Sequence, residues 1–216
     1  MRLRRAAVAA GLAMAAFVAH AQVVVVDEGF ENVATLPAAG WVFNNASAPV
    51  GPTGWFQGDE SIFAAFAGAS NSYIAANFNS ALPGGTIANF LFSPVFNTQG
   101  GGAVSFWARA AGEEDFIDHI RVGRTTGGTT PGAFIQIGGD ITLTDTWTQY
   151  TFNIGPQGVG ATGRAVVEYF GAADASNYVG VDSFNVNAVP EPETWALLAV
   201  GLGLLGATQR RRRNAH

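Results

Sequence analysis

Val104-Ser105-Phe106-Trp107-Ala108-Arg109 changes character at every second residue. Successive side chains of an extended chain point to opposite faces, so Val104, Phe106 and Ala108 share one face and Trp107 stands on the other. Thr148-Gln149-Tyr150-Thr151-Phe152 repeats the pattern, with Tyr150 and Phe152 on its apolar face. Further out, residues 23–30, 73–78, 89–92, 119–124, 134–137, 164–170 and 178–187 are rich in β-branched and aromatic residues and bounded by Gly, Pro and Asn. They read as members of a set of about nine to eleven short strands. In the last of them, alternation puts Val179 and Val181 on one face and Asp182 with Phe184 on the other. Ahead of Thr194, the N-terminal leader aside, no stretch keeps a 3.6-residue apolar period long enough for a three-turn helix. Strands at this spacing predict an all-β fold, a jelly-roll-like two-sheet β-sandwich.

Two segments flank that body. Arg2, Arg4 and Arg5 precede the apolar residues 6–18, and Ala19-His20-Ala21 comes next with small residues at both cleavage positions. This is the order of a secretory signal peptide, residues 1–21, and places the mature N-terminus at Gln22. At the other end, Pro190-Glu191-Pro192-Glu193 is followed by the uncharged run 194–209, which carries Trp195, Leu197, Leu198, Leu202, Leu204 and Leu205. Arg210-Arg211-Arg212-Arg213 closes it. As a helix the run reaches roughly 24 Å, short of a ~30 Å hydrocarbon core, with the arginines on the cytoplasmic side.

Residues 190–213 resemble the PEP-CTERM sorting signal of Gram-negative bacteria in the order and spacing of tripeptide, short hydrophobic helix and arginine cluster. The resemblance implies export through the Sec machinery and cutting near Pro190-Glu191-Pro192 by a membrane-embedded exosortase. It implies a secreted or cell-surface protein whose C-terminal inner-membrane segment is transient or retained. The alternative, an ordinary C-terminal anchor, also puts the domain outside the cytoplasm.

Between the two signals, residues 22–189 suffice for one domain with a sizeable core. That stretch keeps four arginines (Arg109, Arg121, Arg124, Arg164) against fourteen acidic residues, a net charge of −10. Such a surface repels phosphate backbones, which argues against nucleic acid as a partner, and suits divalent cations. The chain has no cysteine, so disulfides, thiol catalysis and thiolate metal sites are excluded. His119 is the single histidine between the signals, too few for a multi-histidine metal site. The glycine-rich stretches Gly100-Gly101-Gly102 and Gly127-Gly128 are turns, since neither leads into a helix or a lysine that would mark a phosphate cradle.

Glu28-Gly29-Phe30-Glu31, then Gly40-Trp41, Gly54-Trp55, Asn89-Phe90-Leu91-Phe92-Ser93-Pro94, Val104-Ser105-Phe106-Trp107 and the closing Tyr178-Val179-Gly180-Val181-Asp182-Ser183-Phe184-Asn185-Val186 occur in one order. That order resembles the choice-of-anchor J domain, related to cleaved-adhesin and MAM-like jelly rolls, over residues 27–187. The resemblance implies a jelly-roll sandwich with a surface or adhesive role in matrix or biofilm, and identifies no ligand. By analogy with its acidic opening and closing strands, Glu31 and Asp182, with Asp118 as a third ligand, are the candidate set for a structural calcium ion, which takes six to eight oxygens. Asn32 stands where that family usually has an acidic residue.

Two more chemistries compete. Exposed aromatics stack on sugar rings, and Trp55 and Trp107 are the candidates here, ahead of Trp41, Trp147 and the tyrosines, for a glycan or matrix ligand. Glu113, Glu114, Asp115 and Asp118 cluster before His119 and raise the alternative of a carbohydrate-active enzyme with a glycoside-hydrolase-like carboxylate pair. Their crowding into one short segment reads more simply as a solvated loop. No catalytic residue is assigned, and the expectation is a non-enzymatic binding domain.

Overall fold

A computed structural model describes residues 23–189. The leader 1–21 and the segment 190–213, with its expected hydrophobic helix, lie outside the described residues. In chain order the strands are β1 (Val23–Glu28), β2 (Val42–Asn45), β3 (Ala48–Val50), β4 (Phe56–Gln57), β5 (Ile74–Asn77), β6 (Ala81–Phe92) and β7 (Phe96–Asn97). They continue as β8 (Gly102–Ala110), β9 (His119–Thr125), β10 (Ile135–Gln136), β11 (Ile141–Thr142), β12 (Thr148–Ile154), β13 (Thr162–Ala172) and β14 (Tyr178–Ala188). The described residues contain only 3₁₀ helices besides strands; the longest, Val33–Ala39, is capped by Asn32 and closed by Gly40 at φ 92°.

Two antiparallel sheets face each other. The first runs β12-β8-β14-β5-β4, with β1 also on β14; the second runs β10-β9-β13-β6-β2, with β3 on β6, β11 on β9 and β7 on β13. The expected two-sheet sandwich is therefore present. The strand β8 shows why. Its residues alternate between buried and half-buried along the whole length, as its sequence period dictates. Val104, Phe106 and Ala108 meet Ile120, Val122, Val167, Tyr169, Ile87 and Leu91 of the second sheet in one core. Phe106 stacks on Phe184 at a centroid distance of 5.9 Å and lies 6.0 Å from Tyr150. Removing each such side chain from water contributes about 1.5–3 kcal/mol.

In β14 the simple alternation fails. Val179 and Val181 face the core as expected, but so does Phe184, while Asp182 faces outward. The pairing of β14 with β8 skips between Asp182 and Asn185, and Ser183 sits at φ 49° in the left-handed region. A β-bulge inserts one residue and re-aims the side chains beyond it. Asp182 and Phe184 therefore lie on opposite faces, a correction to the expected pattern, and Phe184 packs on Trp41 at 5.1 Å.

The sheet register also locates the two ends. Val23 pairs with Ala188, so β1 begins where β14 stops. The ends Ala110 and Asn77 and the starts Thr148, His119 and Tyr178 cluster at the opposite pole.

Candidate binding face

The outer face of the first sheet is covered by residues 58–73, the connection between β4 and β5. Phe63 and Tyr73 of this segment form a second aromatic cluster with Ala75 and Tyr178, against which Trp147 packs. Phe63 stacks on Tyr73 at 5.0 Å, Trp147 donates its indole N–H to the Ala64 carbonyl at 3.0 Å, and the Arg109 guanidinium lies 4.3 Å over Phe63. Gly180 of β14 is the floor: a Cβ there would come within 2.8 Å of Phe63 and 2.9 Å of Tyr73. The glycine lets the rings lie on the backbone itself.

Asp182 ties the tip of this segment to the sheet. Its Oδ2 accepts the N–H of Phe66 at 2.8 Å and of Ala67 at 3.0 Å, and its Oδ1 accepts the Ser183 N–H at 2.5 Å. Burial pushes the Asp182 carboxyl above the usual range, and the donated N–H groups of Ala67, Ser183 and Phe66 offset part of that. Held this way, Phe66 stacks on Trp107, the next strand's outward residue, at 3.8 Å and nearly parallel. Phe66 is 41% exposed, so the stack presents a flat apolar face to solvent.

Beside the stack lies a cleft of about 430 Å³ lined by Asp27, Glu28, Gly29, Glu31, Ala67, Gly68 and Ser183. Gln57 builds it from below. Its Oε1 accepts Val33 N–H at 2.9 Å, and its Nε2 donates to the carbonyls of Phe30 at 2.8 Å and Asn71 at 2.7 Å. Phe30 sits at φ 56°, with its N–H on Glu28 Oε1 at 2.8 Å. Burial first, and then the neighbouring Glu31 and Asp27 charges, raise the Glu28 carboxyl despite that hydrogen bond.

The expected site residues fall apart on this map. Trp107 is half-buried on the outer face, with one ring face covered by Phe66. Trp55 is 6% exposed and packed in the main core, so it is no stacking platform. Glu31 lines the acidic cleft and Asp182 lies beneath the 66–68 backbone next to it. Asp118 is elsewhere: it is buried, and its Oδ1 accepts from Tyr169 Oη at 2.6 Å and Asn177 N–H at 2.9 Å. The three do not form one calcium ligand set, because backbone and tyrosine donors already occupy the two buried carboxylates. Among the described residues no group of three or more histidine or acidic side chains is placed to hold a metal ion. Glu113, Glu114 and Asp115 are exposed, as a solvated loop requires. Phe66 and Gln57 escaped sequence reading. Phe66 lies in Ala64-Ala65-Phe66-Ala67-Gly68, which has no period to mark it, and Gln57 acts through backbone groups that tertiary structure brings to it.

Comparison with known proteins bears on the fold and on the sorting segment. At the level of fold, the chain is similar to the K1 cleaved adhesin domain of Lys-gingipain from Porphyromonas gingivalis W83, at 21% identity and TM-score 0.60, over 76% of this chain and 97% of that one. The K3 cleaved adhesin domain of the same protein matches at 21% identity and TM-score 0.59, over 78% and 99%. The K2 domain matches at 17% identity and TM-score 0.57, over 74% and 96%. At the level of sequence, residues 188–213 match the PEP-CTERM protein-sorting motif, so the chain carries that motif from the last residue of its last strand onward. No curated protein matches the chain.

Proposed function

We propose that the chain is an exported surface protein, cut by an exosortase near Pro190-Glu191-Pro192, whose sandwich adheres non-covalently to an extracellular matrix or exopolysaccharide in biofilm. The observation that carries this is the junction of fold and motif. The sorting motif starts at residue 188, where β14 ends against Val23. Both termini of the domain therefore leave from one pole, and the sandwich projects its other surfaces away from the attachment. The resemblance to the choice-of-anchor J family and the cleaved-adhesin fold support a binding rather than a catalytic role. Intact mass of the protein from envelope and medium tests it. A chain running from Gln22 to the neighbourhood of Pro190 is expected, and one still carrying Arg210-Arg211-Arg212-Arg213 makes the tail a plain anchor and ends the exosortase reading.

For ligand contact, the exposed Phe66 face on Trp107 is the proposed glycan platform. Phe66→Ala and Trp107→Ala should each abolish retention on the cell's own exopolysaccharide while the melting temperature changes little. Retention by both variants removes the platform. A calcium ion in the adjoining cleft, with Glu31 among its ligands, would join the 28–31 turn to the 66–68 tip. Its expected signature is a lower melting temperature in chelator, and an unchanged one disposes of the ion.

A further inference from the structure

The pole opposite the sorting motif carries a second cavity, of about 270 Å³, lined by Phe78, Ala81, Pro83, Phe116 and Ala173 together with Asn79, Asp174 and Ser176. It is pinned open by the fold. Phe78 N–H donates to the Asn177 carbonyl at 2.9 Å, and Ile117 N–H to the Ala175 carbonyl at 2.9 Å. Asp118, buried beneath, fixes Asn177 through its backbone N–H. Two of the polar lining groups also serve the fold: Asp174 Oδ1 accepts Gly84 N–H at 2.9 Å, and Ser176 Oγ donates to the Ala172 carbonyl at 2.9 Å.

The surroundings of this cavity are both apolar and acidic. Phe78 at its wall is 43% exposed, and Leu82 and Ile117, each adjacent in sequence to lining residues, are 44% and 58% exposed. Glu113, Glu114 and Asp115, all exposed, lead directly into Phe116. No basic residue lines the cavity. Of the nearby arginines, Arg121 is engaged by Asp140 at 2.9 Å and Glu168 at 3.6 Å, and Arg109 lies over Phe63.

We propose that this cavity is a docking site for a cationic polypeptide partner, which inserts one large apolar side chain while flanking Lys or Arg residues meet Glu113, Glu114 and Asp115. The size fits a single side chain, being just below the ~300–1,000 Å³ of small-molecule sites. A buried aromatic or aliphatic anchor in a well-formed pocket is the usual energetic centre of an interface, and an opposite-charge rim adds orientation and association rate. A sugar fits less well, because its hydroxyls would face a wall in which five of the eight lining residues are apolar. A second copy of the domain fits poorly too, since two bodies of net charge −10 repel. The site is separate from the Phe66–Trp107 platform and independent of it.

The probe is the end-blocked tripeptide Arg-Phe-Arg, titrated by calorimetry into the protein as purified from cells, with Glu-Phe-Glu and Arg-Ser-Arg as controls. Saturable binding of Arg-Phe-Arg alone is expected. It should weaken at least tenfold in Phe78→Ser, and at least tenfold in a triple variant Glu113→Gln, Glu114→Gln, Asp115→Asn. The triple variant alters only exposed side chains, so it decides the matter should Phe78→Ser fail to fold. The proposal is overturned if Arg-Phe-Arg does not saturate, if either control binds as well, or if the triple variant binds as the parent does. A concentration-dependent dimer that Phe78→Ser abolishes would assign the cavity to a second copy and overturn it as well.

Discussion

Asp182 is the residue on which the binding face turns. It is buried, it points out of the core, and its two oxygens hold three backbone N–H groups, two of them from the tip that carries Phe66. An amide in its place has one acceptor oxygen and would set an NH₂ against backbone donors. Asp182→Asn should therefore cost about 1–3 kcal/mol, the range for a buried group left unsatisfied. It should also loosen the Phe66 stack, which Trp107 fluorescence would report. A urea midpoint and emission spectrum identical to the parent would show that the tip is held by other contacts. Glu168 is another buried carboxylate, beside Asp182 and Asp118, and is differently served: burial raises it, while Arg121 at 3.6 Å draws it back.

At the scale of elements, the bulge in β14 does what regular alternation cannot, since it puts Asp182 on the outer face and returns Phe184 to the core two residues later. Its hinge is Ser183 at φ 49°, a conformation that costs an ordinary residue roughly 1–2 kcal/mol and glycine almost nothing. Serine already bears that cost, so Ser183→Gly should hold or raise stability, whereas Ser183→Val, whose β-branched side chain tolerates positive φ less well than serine, should lower it. Equal denaturation curves for the two variants would mean that the bulge relaxes. In the same strand Gly180 lies under Phe63 and Tyr73. Gly180→Ala should displace the rings at a cost of about 1–3 kcal/mol, typical of overpacking, and its signature is a changed near-UV circular dichroism with the sheet intact.

For the molecule as a whole, the charge balance sets a pH dependence. Glu28, Glu168 and Asp182 all hold their protons more tightly folded than unfolded, chiefly through burial. The folded state then binds more protons between the unfolded and folded pKa values, so stability falls as pH rises through that window. The stability these three groups supply is fully present below their unfolded values near ~4 and is lost above the folded ones. Asp59 and Asp140 have lowered values and act oppositely, yet both are exposed and screened. The urea midpoint should thus be higher at pH ~5 than at pH ~8. Glu168→Gln should flatten the difference, and a midpoint that climbs with pH in the parent would refute the assignment.

The strand period of residues 104–109 and 148–152, the leader and the sorting segment were legible in the chain because each is a local pattern: a side-chain alternation, or a fixed order of charge and apolar length. The regular part of β14, with Val179 and Val181 inward, was legible for the same reason. The strands β2, β3, β4, β7 and β11 were not, since they are two to four residues long and exist by pairing with longer neighbours. Which aromatics are core and which are surface was equally out of reach. Nothing in the local sequence of Trp55 or Trp107 gives its exposure, and only the covering segment 58–73 and the facing sheet decide that one is sealed in and the other half-covered by Phe66. The carboxylates show the same division. Composition alone determined an acidic domain, but Glu31 lines a cleft while Asp118 and Asp182 are buried under separate backbone donors, because burial and hydrogen bonding depend on what the fold brings to each carboxylate and not on its neighbours in sequence.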